Sequence, residues 1–264
     1  MSRPTDLRPD PSRLAALQLP LVALAEQAGR AILAVYARGR GEVEAKGDGS
    51  PVTTADRSAD AILYQGICHL TPDWPIVTEE RAVRQLPDFS GPVWLVDPLD
   101  GTREFLDRNG EFAVSVGLVV GGRPVLGVVH GPAAGLTAWG VVGEGAWRRD
   151  GSGPARPIAC RPRPAVGAVA AVSRRHGRDQ RLDAWLAAQG ITETVTCGSA
   201  LKFCLVASGE ADVYPRFGPT SEWDTAGGHA ILAAAGGEVV AVDDGPLTYG
   251  KPGLLNPDFV ARGA

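Results

Sequence analysis

The chain reads as a mixed α/β protein built in layers. Three observations carry that reading. An apolar content of 44% in 264 residues is enough to bury a substantial core, in one large domain or two packed halves. Two helices are expected within Leu21 to Leu70, and a run of strands follows, with apolar residues at every second position from Phe112 to Val120. Beyond residue 164, strands and helices alternate, which favours sheets covered by helices.

In chain order, Leu21, Leu24, Ala25, Ala28, Ile32 and Val35 recur at helical spacing, so Leu21 to Tyr36 is expected as an amphipathic helix. Glu26, Gln27 and Arg30 interrupt it and make it too polar for a membrane span. Gly47 to Pro51 reads as a loop, and Thr54 to Leu70 as a second helix burying Ile62, Leu63 and Ile67. Strands are expected at Pro75 to Thr78 and Val93 to Asp97, then from Phe112 to Val120 with one face buried. Gly121-Gly122 suits the positive φ angles of a tight hairpin, with Pro124 to His130 returning and Trp139 to Arg148 as a further strand.

The stretch Arg148 to Pro164, rich in Gly, Pro and Arg, is the expected seam between an N-terminal half, 1–160, and a C-terminal half, 161–264. After it come a strand at Ala168 to Val172, helices over Arg178 to Gln189 and Ser199 to Ser208, a strand at Ala211 to Tyr214, and a helix over Asp224 to Ala235.

A formal charge of -4 supplies no positive field for a polyanion, so no nucleic-acid polymer is expected as a partner, and no membrane. Cys68, Cys160, Cys197 and Cys204 are scattered, with no CxxC pair, and read as core thiols. The first residues lack the apolar run of a signal peptide, so a cytoplasmic protein is expected. No Walker-type phosphate loop, GxSxG elbow, HExxH helix or zinc-spaced Cys/His set is present.

The chemistry concentrates in Trp94-Leu95-Val96-Asp97-Pro98-Leu99-Asp100-Gly101-Thr102. A hydrophobic strand ends in a carboxylate, Pro98 keeps the chain extended, and a second carboxylate precedes a glycine that permits close backbone approach. Such a strand end would aim Asp97, Asp100 and the Leu99 carbonyl at one hard cation. Glu79 and Glu80 end an earlier strand, and Asp224 opens a later helix.

Taken singly, each has a plainer reading: a turn at Asp97 to Gly101, a solvated face at Glu79 and Glu80, an N-cap at Asp224. If Glu79, Asp97, Asp100 and Asp224 converge, their repulsion must be offset by cations or protons. Oxygen ligands without His or Cys select magnesium, or manganese, over zinc.

Together these segments resemble the lithium-sensitive, magnesium-dependent phosphatases that include inositol monophosphatase and fructose-1,6-bisphosphatase. Trp94 to Thr102, continued by Phe105, and Trp223-Asp224-Thr225-Ala226-Gly227-Gly228 match the two signatures of that family. The resemblance implies a layered α/β/α/β/α sandwich of the sugar-phosphatase type, with the active site between the halves. It implies two or three Mg2+ ions, with Mn2+ as a substitute. Glu79, Asp97 and the Leu99 carbonyl would serve the first ion, and Asp97, Asp100 and Asp224 the second. The implied catalytic set is Asp56 and Thr102, polarising the attacking water, together with Glu79. Gly101 and Thr102 would offer backbone N–H groups to the phosphate. Asp56 alone also reads as a surface residue at a helix start.

Within the family, the segments Asp97 to Phe105, Arg108-Asn109-Gly110-Glu111-Phe112, Gly198-Ser199-Ala200-Leu201-Lys202-Phe203 and Tyr214-Pro215-Arg216-Phe217-Gly218-Pro219-Thr220 resemble the CysQ-type adenosine bisphosphate phosphatases. This implies hydrolysis of the 3′-phosphate of adenosine 3′,5′-bisphosphate, with Ser199 and Lys202 holding the other phosphate at a helix start whose N–H groups are free. By themselves these two residues read as an N-cap and a solvated charge. Ser173, Arg174 and His176 are expected to line the same pocket. Arg216 is expected as a phosphate contact or a strand-edge charge, and His229 as an adenosine neighbour or a packed surface residue.

Inositol monophosphate, fructose 1,6-bisphosphate and histidinol phosphate stand as alternative substrates. A catalytically silent metabolite-binding protein is the rival of a different class. The expected partner is a small phosphate ester, and a homodimer is left open.

Overall fold

The computed structural model describes residues 9–39, 43–45, 51–81, 85–174, 180–242 and 245–263. The expected loop residues Gly47 to Ser50, and His176, lie outside them.

Six α-helices occur among the described residues: α1 (Pro11–Ala37), α2 (Thr54–Leu70), α3 (Thr102–Leu106), α4 (Gln180–Ala188), α5 (Leu201–Ala207) and α6 (Glu222–Ala234), with a single 3-10 turn at Pro252–Leu254. A short antiparallel pair, β1 (Val43–Ala45) and β2 (Pro51–Thr53), precedes α2. A seven-stranded sheet runs in chain order through β3 (Ile76–Thr78), β4 (Pro92–Asp100), β5 (Ala113–Val120), β6 (Arg123–Gly131), β7 (Leu136–Val141), β8 (Gly145–Asp150) and β9 (Arg156–Ile158). Only β3 and β4 pair in parallel there; the rest are antiparallel.

The second sheet has six strands: β10 (Val169–Val172), β11 (Glu193–Thr196), β12 (Val213–Arg216), β14 (Glu238–Ala241), β15 (Gly245–Pro246) and β17 (Phe259–Arg262), in the order β11-β10-β12-β17-β14-β15. The remaining strands, β13 (Thr220–Ser221) and β16 (Leu255–Asn256), pair with each other.

The layers follow from three apolar clusters. Leu21, Ala25, Ile32, Ala59, Leu63 and Ile67 of α1 and α2 pack on Trp94, Val96, Val114, Val116 and Leu118 of the first sheet. A second cluster lies between the two sheets and contains Phe203 of α5 and Ile231 of α6. Leu182 and Leu186 of α4 cover the far side of the second sheet at Ala170, Val172 and Val213. The result is the five-layered α/β/α/β/α sandwich.

Several elements differ from expectation. The first helix starts at Pro11, not Leu21, and runs through Pro20; Leu14 and Leu17 are already buried. By length and composition α1 could cross a membrane, yet Leu14, Leu17, Leu21, Val22, Ala25, Ala28 and Ile32 pack into the cluster against the sheet. β4 extends to Asp100, past the expected end at Asp97. The expected strand Trp139 to Arg148 is two strands, because Gly143 and Gly145, at φ 95° and 128°, reverse the chain between β7 and β8. At Gly121 and Gly122 both φ angles are positive, 58° and 70°, as a tight hairpin requires.

The strand expected at Ala211 to Tyr214 is displaced to Val213–Arg216. Of the cysteines, all of them free thiols, Cys204 is buried and the other three are half-buried.

The largest correction concerns β5, which is buried on both faces. Val114, Val116 and Leu118 face the outer helices, and Ala113, Ser115 and Gly117 face inward, where small residues admit α6. A Cβ at Gly117 would stand 2.6 Å from Ala226, and one at Gly127 would stand 2.1 Å from the Gly227 carbonyl oxygen. These are backbone-to-backbone approaches that glycine alone permits. The expected boundary near residue 160 falls where the chain passes from β9 in the first sheet to β10 in the second, and α6, from beyond it, packs against the first sheet.

Candidate active site

The end of β4 carries the first acidic residues. Pairing with β5 runs regularly to Asp97, opposite Ser115, and then slips, so that Asp100 pairs with Ala113. Such a bulge re-aims the side chains beside it. Asp97 turns inward, 2% exposed, and its Oδ1 accepts the Leu99 N–H at 3.0 Å. The adjacent strand end brings Glu79, whose N–H donates to the Val96 carbonyl at 3.1 Å.

The third contribution comes from the far half of the chain. Ser115, opposite Asp97, donates its hydroxyl to the Trp223 carbonyl at 3.4 Å, which seats the first turn of α6 against β5. Asp224 is not the N-cap of that helix. Ser221 is, and Asp224, in the third position, accepts the Ser221 N–H at 2.8 Å in a capping box. One of its oxygens is thereby spoken for, and carboxylate oxygens of Glu79, Asp97 and Asp224 lie within 4.8 Å of one another.

Such a cluster is electrostatically unfavourable without a counter-charge. Burial, then repulsion from Glu79, Asp100 and Asp224, pushes Asp97 well above the usual carboxylate range. Burial and the charges of Asp100 and Glu79 do the same to Asp224. Asp100 is raised to about 6 by burial, although Lys202 and the Ala200 N–H oppose the shift. An all-oxygen donor set held in mutual repulsion fits a hard divalent cation such as Mg2+.

Beside the carboxylates stands a hydrogen-bonded pair. Asp56, 1% exposed, is the third residue of α2 in a capping box with Thr53. Its Oδ2 accepts from the Thr53 N–H at 2.7 Å and the Thr53 hydroxyl at 2.6 Å. Its Oδ1 faces the Thr102 hydroxyl at 3.2 Å. Gly101 precedes α3 at φ 91°, a left-handed conformation suited to glycine, and no side chain caps that short helix.

A cavity of about 360 Å³ opens onto these groups. Of the residues singled out in the sequence, Glu79, Asp100, Gly101, Thr102, Ser173, Ser199, Lys202, Arg216 and Asp224 line it. Asp97 lies behind them in the carboxylate cluster, and Asp56 reaches the cavity through Thr102.

The cationic end differs in detail from expectation. Lys202 is 3% exposed rather than solvated. Its ammonium donates to the Ser199 carbonyl at 2.6 Å and lies 5.0 Å from the centre of the Tyr214 ring. Burial lowers its pKa, and the nearby Asp100 acts against that shift. Ser199 does not cap α5: it takes a left-handed φ of 53°, and Ala200 precedes the helix. The Ala200 N–H is not free for an anion, because Asp100 Oδ2 accepts it at 2.5 Å. Arg216 has a buried Nε without a hydrogen-bond partner among the described residues, while its Nη2 donates to the Pro219 carbonyl at 3.1 Å. An unsatisfied buried donor on a cavity wall suits an anionic ligand.

One expectation fails: Arg174 turns away from the cavity to a two-point ion pair with Glu111, at 3.0 and 2.5 Å. Of the two readings of His229 the packed one holds, with the residue buried and not at the surface: it is 7% exposed, 3.0 Å from the Tyr249 hydroxyl, and held by burial at a pKa of about 3. Conversely, Glu104, Phe203, Tyr214 and Thr225 line the cavity without having been singled out. Glu104 follows Thr102 within the short α3, so the motif contained it, but nothing local distinguishes it from a surface glutamate.

The layered sandwich agrees with comparisons to known proteins. The model of the inositol monophosphatase family matches residues 14–261, and the chain belongs to that family, whose members are metal-dependent phosphatases, generally using Mg2+. Among its relatives, the 3′(2′),5′-bisphosphate nucleotidase CysQ of Escherichia coli K12 is 44% identical over 242 residues, covering 89% of this chain and 95% of that protein. The protein of the same name from Haemophilus influenzae is 32% identical over 254 residues, covering 91% and 90%. The crystal structure of CysQ from Bacteroides thetaiotaomicron superposes with a TM-score of 0.78 at 35% identity, covering 93% of this chain and 96% of that one. An inositol monophosphatase from Anabaena gives a TM-score of 0.74 at 25% identity, covering 96% and 92%.

Proposed function

We propose that this chain is a 3′(2′),5′-bisphosphate nucleotidase that hydrolyses the 3′-phosphate of adenosine 3′,5′-bisphosphate, yielding adenosine 5′-monophosphate and phosphate. The observation that carries this reading is the pairing of two opposite surfaces in one cavity. Glu79, Asp100 and Asp224 form one, and Lys202 and Arg216 the other. A substrate with a second phosphate uses both, whereas a sugar monophosphate leaves the cations unmatched. The CysQ relatives support the same substrate class.

Glu79, Asp97, Asp100, Asp224 and the Leu99 carbonyl would hold two or three Mg2+ ions, or Mn2+ in their place. When bound, the metal supplies Lewis-acid stabilisation of the phosphoryl oxygens and of the charge on the leaving oxygen. The chain's own residues orient the nucleophile. Asp56 Oδ2 is occupied by Thr53, so Asp56 Oδ1 accepts the Thr102 hydroxyl proton and leaves a Thr102 lone pair to accept a hydrogen bond from the attacking water. The water oxygen bonds to phosphorus as the bond to the 3′-oxygen breaks; of the water's two protons one ends on the 3′-oxygen and the other on the phosphate released. Lys202, Ser199, Ser173 and Arg216 hold the 5′-phosphate end.

We place the enzyme in the cytoplasm, acting as monomer or homodimer on a small ester without a nucleic-acid or membrane partner. The net charge and the free thiols support that placement. The test is phosphate release with Mg2+ across adenosine 3′,5′-bisphosphate, its sulfated analogue, inositol monophosphate, fructose 1,6-bisphosphate and histidinol phosphate. The highest kcat/KM is expected for the adenosine bisphosphate. A higher value for any sugar phosphate overturns the substrate assignment and leaves the phosphatase chemistry standing.

A further inference from the structure

Asp60 lies one turn beyond Asp56 on α2, 6% exposed, and takes no place in the carboxylate cluster described above. Its Oδ1 accepts the Thr78 hydroxyl at 2.8 Å, and its Oδ2 accepts both Nε and Nη2 of Arg81, at 2.9 and 2.8 Å. The Arg81 guanidinium is in turn 3.8 Å from the centre of the Tyr64 ring, also on α2. One buried carboxylate therefore ties down the residue before Glu79 and the residue after Glu80.

The backbone of this stretch is held more lightly, with the Glu79 N–H on Val96 and the Arg81 N–H reaching the Thr78 carbonyl at 3.3 Å. A turn leaving a three-residue strand has few ladder bonds to set its direction. A cation ligand, by contrast, must hold its oxygen in place, and partners behind the ligands supply that rigidity.

We propose that Asp60 is a positioning residue that, through Thr78 and Arg81, holds Glu79 in the metal-binding cluster. The inference rests on the reading of Glu79, Asp97 and Asp224 as metal ligands. Asp60 itself belongs neither to the carboxylate cluster nor to the cavity lining. Arg81 contributes charge, a fork of two donors, and stacking on Tyr64, three properties that lysine does not combine.

The test is direct titration of the full-length, metal-free chain with Mn2+, following free Mn2+ by electron paramagnetic resonance, for the wild type, Asp60→Asn, Arg81→Gln and Arg81→Lys. Asp60→Asn and Arg81→Gln are each expected to weaken Mn2+ binding by about 10-fold or more, with Arg81→Lys between them and the wild type. Thermal unfolding of the metal-free proteins should change little for Arg81→Gln, whose side chain is 44% exposed, which keeps the test valid if Asp60→Asn folds poorly. In kinetics, the metal concentration for half-maximal rate should rise while kcat at saturating metal recovers. Wild-type Mn2+ affinity in Arg81→Gln overturns the proposal. A wild-type chain that takes up no Mn2+ overturns the metal reading itself, and with it this inference; the two failures are told apart by which protein shows them.

Discussion

The Thr102 hydroxyl lies 3.2 Å from Asp56 Oδ1 and 3.3 Å from the Leu99 carbonyl oxygen, bridging a helix start to the end of the strand that bears Asp97. Both neighbours are acceptors, so the hydroxyl proton is committed to them and the Thr102 oxygen faces the cavity as an acceptor. Thr102→Ala should therefore lower kcat by about 10²-fold or more with little change in KM, the pattern of an interaction expressed mainly in the transition state. Steady-state kinetics on the adenosine bisphosphate check it; a change confined to KM would make Thr102 a substrate-binding residue.

Repulsion among Glu79, Asp97, Asp100 and Asp224 destabilises the metal-free fold, and a bound cation relieves it. At 100 times its dissociation constant, Mg2+ should add about 2.7 kcal/mol to stability. For a chain of this size that corresponds to a rise in Tm of roughly 5–10 °C. Differential scanning calorimetry with and without Mg2+ measures it, and Asp224→Asn should abolish most of the rise.

Lys202→Ala removes a buried ammonium that reaches the cavity wall from the Ser199 carbonyl and the Tyr214 ring. On adenosine 3′,5′-bisphosphate the variant should lose about 10–150-fold in kcat/KM, the range of a charge-assisted contact. Turnover of inositol monophosphate should barely change. Equal losses on both substrates would show that Lys202 supports the fold instead.

Gly127 on β6 meets the Gly227 carbonyl of α6, where an added Cβ would stand 2.1 Å from the oxygen. Because backbone opposes backbone, the helix itself must shift. Gly127→Ala should cost about 1–3 kcal/mol or more by chemical denaturation. Activity should fall further than stability predicts, since the displaced helix carries Asp224.

His229 is neutral in the fold, with its pKa lowered to about 3 by burial and by the charges of Arg123 and Lys251. Unfolded, it titrates near 6.5, so below that pH the unfolded chain binds a proton that the folded one does not. Its contribution is complete above about pH 6.5 and is lost as pH falls toward 3, with a limiting slope of about 1.36 kcal/mol per pH unit. The stability difference between wild type and His229→Asn should shrink or reverse over that window. Denaturation of both at pH 7 and pH 4.5 checks it, and a difference independent of pH would mean that His229 takes up its proton as readily in the fold as in the unfolded chain.

Features written in contiguous residues were legible in the sequence alone. The run from Trp94 to Thr102 contains the strand, the two carboxylates and the glycine, and Trp223 to Gly228 contains the helix start with Asp224. The alternation at Phe112 to Val120 identified β5 and its helix-facing side.

Tertiary structure decided what depends on partners far along the chain. The inward face of β5 reads as polar or small until α6 is laid against it, and only then are Ser115 and Gly117 seen as the bed for Ala226 and Gly227. The Ala200 N–H is free in the sequence and taken by Asp100 in the fold. Arg174 and His229 carry cavity-type chemistry, yet Glu111 and Tyr249 hold them elsewhere. Asp60 gave no signal at all, because its partners lie on another element. Periodicity and motif order report on neighbours within a few residues, whereas a charge or hydrogen bond is satisfied by whichever group the packing brings within about 3 Å.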